Sequence, residues 1–167
     1  PISTVTTASA TAPIPRFAPG TPLNSFTVNR CACNILFPWT SNLGGFDTGI
    51  AISNTSADPF GTTTQTGTVT LNYYTAGTPV PPQTTNAPVP PGSTLTFTLS
   101  SGGNYGIAAT PGFHGYIIAQ SQFQYCHGMA YFSAAGAPGI GGGTYLGIVL
   151  DTAGLNRTGS PGEVQAH

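Results

Sequence analysis

The sequence predicts an all-β protein: an antiparallel β-sandwich, immunoglobulin-like or jelly-roll, carrying an extended N-terminal arm. Three observations lead there. Short runs alternate apolar and polar residues with period two, the mark of a strand buried on one side. Turn signals rich in glycine and proline separate those runs, drawn from 23 Gly and 16 Pro in 167 residues. No segment carries a helical 3.6-residue period over a useful length.

Taken in order, residues 1–25 form the arm. Pro1–Thr11 is strand-prone through Ile2, Val5 and several threonines. Pro13, Pro15, Pro19 and Pro22 then make a stiff spacer with few backbone donors. The domain is expected over 26–151, with a polar tail over 152–167. Phe26–Trp39 reads as the first strand, with Cys31, Cys33, Ile35, Phe37 and Trp39 on the core face and Pro38 marking an edge or an end. Phe46–Asn54 is the second, after a Gly44-Gly45 turn. Gly67–Tyr74 sets Val69, Leu71 and Tyr73 inward. Thr75–Pro91, studded with prolines, is a surface crossing. Ser93–Leu99 alternates Leu95, Phe97 and Leu99 against threonines. Ser100–His114 is a glycine-rich loop with room for one helical turn. Gly115–Phe132 is the longest strand signal, one strand or two joined at Gly128, with Ile117, Ala119, Ser121, Phe123 and Tyr125 facing one way and Gln120, Gln122 and Gln124 the other. Thr144–Leu150 is a last, largely buried strand.

Charge narrows the function. Only 4% of residues are charged, against about 25% in an ordinary domain. The bases are Arg16, Arg30 and Arg157, with no lysine. Nothing here neutralises a phosphate backbone, so nucleic acid is excluded as a partner. No apolar run approaches the roughly 20 residues of a membrane helix. With 10% aromatic residues the chain is not of disordered composition. Its surface must consist of Thr, Ser, Asn, Gln and Gly, which bind water but repel no neighbour. Edge strands also lack the lysines that discourage pairing. The chain therefore reads as one meant to associate with copies of itself.

Pro1 in place of Met marks a processed product, and the threonine- and serine-rich composition with three cysteines suggests an extracellular or cell-surface location. One of Cys31 or Cys33 is expected to pair with Cys126. A bond between Cys31 and Cys33 is disfavoured by strand geometry, and the odd thiol is buried or bonded to another subunit. Asn54-Thr55-Ser56 and Asn156-Arg157-Thr158 match the N-glycan acceptor pattern, which this composition also produces by chance.

No motif carries an enzyme, and no cofactor or metal is implied. Asp47-Thr48-Gly49 is the triplet of aspartic proteases, with Asp151-Thr152-Ala153-Gly154 as a loose second copy, but that chemistry needs two adjacent carboxylates. An aspartate bonded to its own turn is the simpler reading. Cys31-x-Cys33 with Cys126-His127 has poor zinc spacing, and neighbours on a strand face opposite sides, which argues against a Cys126/His127 catalytic pair. Trp39, Tyr73, Tyr74, Tyr105, Tyr125 and Tyr131 offer a candidate sugar-stacking face.

Two blocks, Asn34–Gly61 (NILFPWTSNLGGFDTGIAISNTSADPFG) and Gly115–Ala130 (GYIIAQSQFQYCHGMA), resemble a group of uncharacterised exported bacterial proteins. The low charge and extended arm are also similar, in style, to pilin-like β-sandwich subunits of extracellular filaments that assemble by donor-strand complementation. A strand-prone segment beyond a stiff spacer reads as an arm, and the expectation is a structural filament subunit whose arm inserts into, or lies across, a neighbour through Ile2, Val5, Ile14 and Phe17. The alternative expectation is a secreted carbohydrate-binding or adhesin module.

Overall fold

The computed structural model describes residues 32–134 and 141–150. Ten strands follow one another: β1 (Cys33–Ser41), β2 (Phe46–Asn54), β3 (Val69–Tyr74), β4 (Gln83–Thr84), β5 (Thr94–Thr98), β6 (Gly102–Gly103), β7 (His114–Ser121), β8 (Cys126–Ala134), β9 (Gly143–Leu146) and β10 (Ile148–Leu150). The single helical turn among the described residues is 3₁₀, at Asn104–Gly106 inside the glycine-rich loop. The strands form two antiparallel five-stranded sheets, β10-β1-β7-β3-β4 and β6-β5-β2-β8-β9, which face each other as a sandwich. The six longest strands alternate between sheets, so each connection among them crosses the core. Immunoglobulin order, in which several pairs of consecutive strands share a sheet, is thereby departed from; the wrapping is closer to the jelly-roll alternative.

The predicted alternation becomes the core. Ile50 and Ile52 of β2, Val69, Leu71 and Tyr73 of β3, and Leu95 and Phe97 of β5, with Leu99 just beyond, all point inward beside Ile35, Phe37, Ile117 and Ala119. Fully burying each of the Ile, Val, Leu and Phe side chains among these is worth about 1.5–3 kcal/mol.

Three expectations change. The long run around Gly115–Phe132 breaks at Gln122–Tyr125, not at Gly128, and its halves lie in different sheets. The corner is held by Gln122 N–H donating to Thr68 O (2.9 Å), Gln124 N–H to Gln65 Oε1 (2.6 Å) and Thr55 N–H to Tyr125 O (3.0 Å). Phe123 stays buried as a plug, but the inward phase then shifts by one residue: Cys126 and Ala130 face the core, while Tyr125 is 40% exposed. Gly128 lies within β8, paired with Ile52, where an added Cβ would come 2.8 Å from Phe37 Cζ.

In β1 the phase also slips. A register shift against β7 falls between Phe37 and Thr40, around Pro38, which has no N–H for a ladder. Thr40 turns inward and Trp39 outward, where it packs edge-on to Phe46, His114 and Phe132.

The last strand is not a single buried element. It divides at Gly147, with β9 on the edge of one sheet and β10 on the edge of the other, and Leu146 is 79% exposed. The chain crosses over Ile35 and Phe37 so closely that a Cβ on Gly147 would lie 2.3 Å from Ile35 Cγ2. Gly147 N–H donates to Gly128 O (2.8 Å) at the crossing. One open side of the sandwich is closed this way.

Candidate functional site

Among the described residues the only Asp, Glu, Lys or Arg are Asp47 and Asp58. Both carboxylates are committed to turns. Asp47 Oδ1 accepts from Asn42 Nδ2 (3.0 Å), Thr48 N–H (3.0 Å) and Ser100 N–H (3.1 Å), and Oδ2 from Ser100 Oγ (2.5 Å). It clasps the β1–β2 turn to the loop after β5. It sits at the start of β2, whereas Asp58 lies beyond the end of that strand, so no second carboxylate from the described residues faces it; Asp151 lies outside them. Asp58 Oδ1 accepts from Phe60 N–H (2.8 Å) and Thr62 N–H (3.4 Å). Bonding from Thr62 and Phe60 holds its carboxyl below the ordinary value.

Cys33 and Cys126 form a disulfide, Cα atoms 5.9 Å apart, that ties β1 to β8 and so one sheet to the other. The bond fits a protein made outside the reducing cytoplasm. Cys31 lies outside the described residues, as do Ile2, Val5, Ile14, Phe17 and Asn156. Asn54 is 1% exposed, and its Nδ2 donates to Gln65 O (2.7 Å) and Val89 O (3.1 Å). The glycan expectation at Asn54 is thus corrected: the nitrogen a sugar would need is spent inside the fold. His127 Nδ1 lies 3.1 Å from Thr55 Oγ1. No group of three or more His, Cys, Asp or Glu able to hold a metal ion occurs among the described residues.

The aromatics do not share one face. Tyr73 is buried against Phe113. Tyr74 stacks on Tyr116 (centroids 4.8 Å apart, planes 9° apart) on the outside of the β3–β7 sheet. Tyr131 stands on the outside of the other sheet. There a shallow groove of about 390 Å³ runs over Gly49 and Ala51, between Thr96 and Thr98 on β5 and Met129 and Tyr131 on β8. Asn104 borders it, but Asn104 Oδ1 accepts from Thr96 N–H (2.8 Å) and Nδ2 donates to Thr94 O (3.0 Å). The amide thus stands in for a strand and shields the β5 edge. Tyr145 does likewise for β1, its hydroxyl donating to Trp39 O.

The β3–β4 ladder is short. On β3, backbone groups of Val69 face away from β7: its C=O accepts from Thr85 N–H (3.0 Å) and its N–H donates to Thr85 Oγ1 (3.2 Å). By alternation Leu71 and Tyr73 face the same way. β4 pairs only with Thr70 and Leu71, because the residues next in line are Pro82 and Pro81, which have no N–H. From Asn72 to Tyr74 that side of β3 has no partner strand among the described residues. Beside it lies a recess of about 410 Å³ lined by Tyr73, Tyr74, Thr75, Ala76, Pro79 and Tyr116. Nothing in the sequence taken alone marks this place; it exists because a proline pair halts a ladder whose other members come from distant segments.

No family model, curated protein or solved structure matches the chain.

Proposed function

We infer that this chain is a structural subunit of an extracellular filament or surface polymer, assembled by adding the N-terminal segment of one copy to a neighbour as a strand. The observation that carries this reading is the near absence of charge on the sandwich, where both carboxylates are already occupied in turns. No like charge keeps copies apart. Exposed apolar side chains are present as well: Phe60 at 88%, Leu146 at 79% and Leu43 at 58%. The disulfide suits secretion, and the exported bacterial proteins noted above fit the same setting. No catalytic role is assigned to any residue. The test is electron microscopy of purified chain with and without Pro1–Pro22. Polymers that need the segment support the reading; the same polymers without it overturn the arm mechanism.

A carbohydrate-binding module is the second reading, favoured by the groove beneath Tyr131. It predicts saturable glycan binding by a monomer, lost in Tyr131→Ala. Against it, Asn104 has its amide occupied by the β5 backbone.

A further inference from the structure

Among the described residues the most exposed large apolar side chain is Phe60, at 88%. It is held out into water by a braced turn. Pro59 fixes the backbone before it, Asp58 Oδ1 accepts its N–H (2.8 Å), and Gly61 turns the chain back at φ +81°. Below the tip the two feet of the loop are bound together: Gln65 N–H donates to Ser56 Oγ (3.0 Å), and Ser56 Oγ to the buried Asn54 Oδ1 (2.7 Å). An apolar side chain presented on a turn already fixed loses little freedom on docking. The register locates the tip. Its loop leaves β2 at Asn54, which pairs with Cys126, and the disulfide sets that point at the end of the sandwich where β1 begins and β7 finishes. The recess lined by Tyr73, Tyr74, Ala76, Pro79 and Tyr116 is at the opposite end, where β3 finishes and β7 begins.

We propose that Phe60 of one copy seats in this recess of the next. The recess has a volume of about 410 Å³ and no charged residue in its lining. A closed apolar cavity of about 150 Å³ is already enough for a benzene ring. The phenyl group packs against Pro79 and the stacked pair of Tyr74 and Tyr116, the aromatic company such a ring prefers. Asp58, the one charged side chain of the loop, is turned onto the loop's own N–H groups, so the docking face brings no unpaired charge with it. Ring and recess are different parts of one chain and lie at its opposite ends. The contact is therefore heterologous: each docked copy still offers one of each, and copies add in line without closing into a pair. One phenylalanine covers about 150–250 Å², well short of the roughly 800 Å² per partner of a stable complex. The contact is weak by itself and acts beside the arm.

The inference rests on the assembly reading and is tested on the full chain by sedimentation velocity. Phe60→Ser removes the ring, and Ala76→Glu puts a carboxylate into the recess; both positions are exposed, so the fold survives either change, as circular dichroism would verify. Expected is association weakened about tenfold or more in each variant. An equimolar mixture of the two should associate more strongly than either alone, because the first still offers the recess and the second the ring. A mixture no stronger than its components overturns the inference. So does a Phe60→Ser chain that associates like the unaltered one; if deleting Pro1–Pro22 abolishes assembly in that case, the assembly reading stands without this contact. Association lost in Phe60→Ser and Tyr131→Ala but kept in Ala76→Glu would send the ring to the groove beneath Tyr131 and overturn the recess. If the unaltered chain is monomeric at every concentration, the assembly reading falls and this inference with it.

Discussion

Cys33 and Cys126 join β1 of one sheet to β8 of the other across 93 residues of sequence. Each cysteine is nearly buried and lies next to the corner that Phe123 plugs. The bond closes a long loop in the unfolded chain, and such a constraint is worth about 2–5 kcal/mol. Replacing both residues by alanine is expected to lower the unfolding free energy by that amount in urea titrations. A loss below about 1 kcal/mol would mean that the sheets hold without the staple.

The Asp47 clasp is a structural device. Asp47→Ala leaves Thr48 N–H and Ser100 N–H without their acceptor and frees the Asn42 amide. Each donor left unpaired costs about 1–3 kcal/mol when buried, and less here because Ser100 is exposed. The expected outcome is destabilisation of about 1–2 kcal/mol, with faster exchange of the Ser100 amide. An Asp47→Asn protein of unchanged stability would show that the carboxylate charge adds nothing to the clasp.

Alkaline pH should unfold this protein through two tyrosines. Burial pushes the Tyr73 phenol up to about 12. Burial does the same for Tyr145, also to about 12, against the opposing effect of its bond to Trp39 O. An acid whose folded pKa exceeds its unfolded value near 10 keeps its proton in the fold after the unfolded chain has lost it. The stability involved is therefore whole below pH 10 and is lost as the pH rises toward 12. Tyr73→Phe should remove part of that loss. The Tyr73 hydroxyl is buried with no hydrogen-bond partner among the described residues, so the same change should be neutral or stabilising by up to about 1 kcal/mol at pH 7. Destabilisation at pH 7, measured by thermal melting, would reveal a partner for the hydroxyl.

Gly147 allows the chain to pass from one sheet to the other over the core. Gly147→Ala drives a methyl group into Ile35 and Phe37. Overpacking of this kind costs about 1–3 kcal/mol. Gly44→Ala, in open space at φ +66°, meets only backbone strain and serves as the control, expected at about 1 kcal/mol. Equal losses in the two variants, compared by chemical denaturation, would remove the steric account of Gly147.

Leu95, Phe97 and Leu99 alternate with threonines, and Val69, Leu71 and Tyr73 alternate likewise; each set went inward as its pattern required. The pattern misled at Pro38 and at Gln122–Tyr125, where one residue more or less reverses every later side chain. Bulges and corners are held by partners far off in sequence, such as Thr68 for Gln122 and Gln65 for Gln124. A local reading cannot see those partners. The tyrosines illustrate the same limit: Tyr73 and Tyr74 are adjacent, yet one is core and the other lies open against Tyr116.

Composition and period-two alternation, both local properties, were enough to establish an all-strand sandwich with little charge and a cysteine bond reaching to Cys126. Which sheet each strand joins, which of two neighbouring cysteines bonds, and where each ladder ends were decided only in three dimensions. The reason is that backbone pairing is between segments, and each segment's alternation is equally satisfied by many partners. Only the simultaneous closure of every pair, with Pro81 and Pro82 halting one ladder and Gly147 permitting one crossing, selects this arrangement.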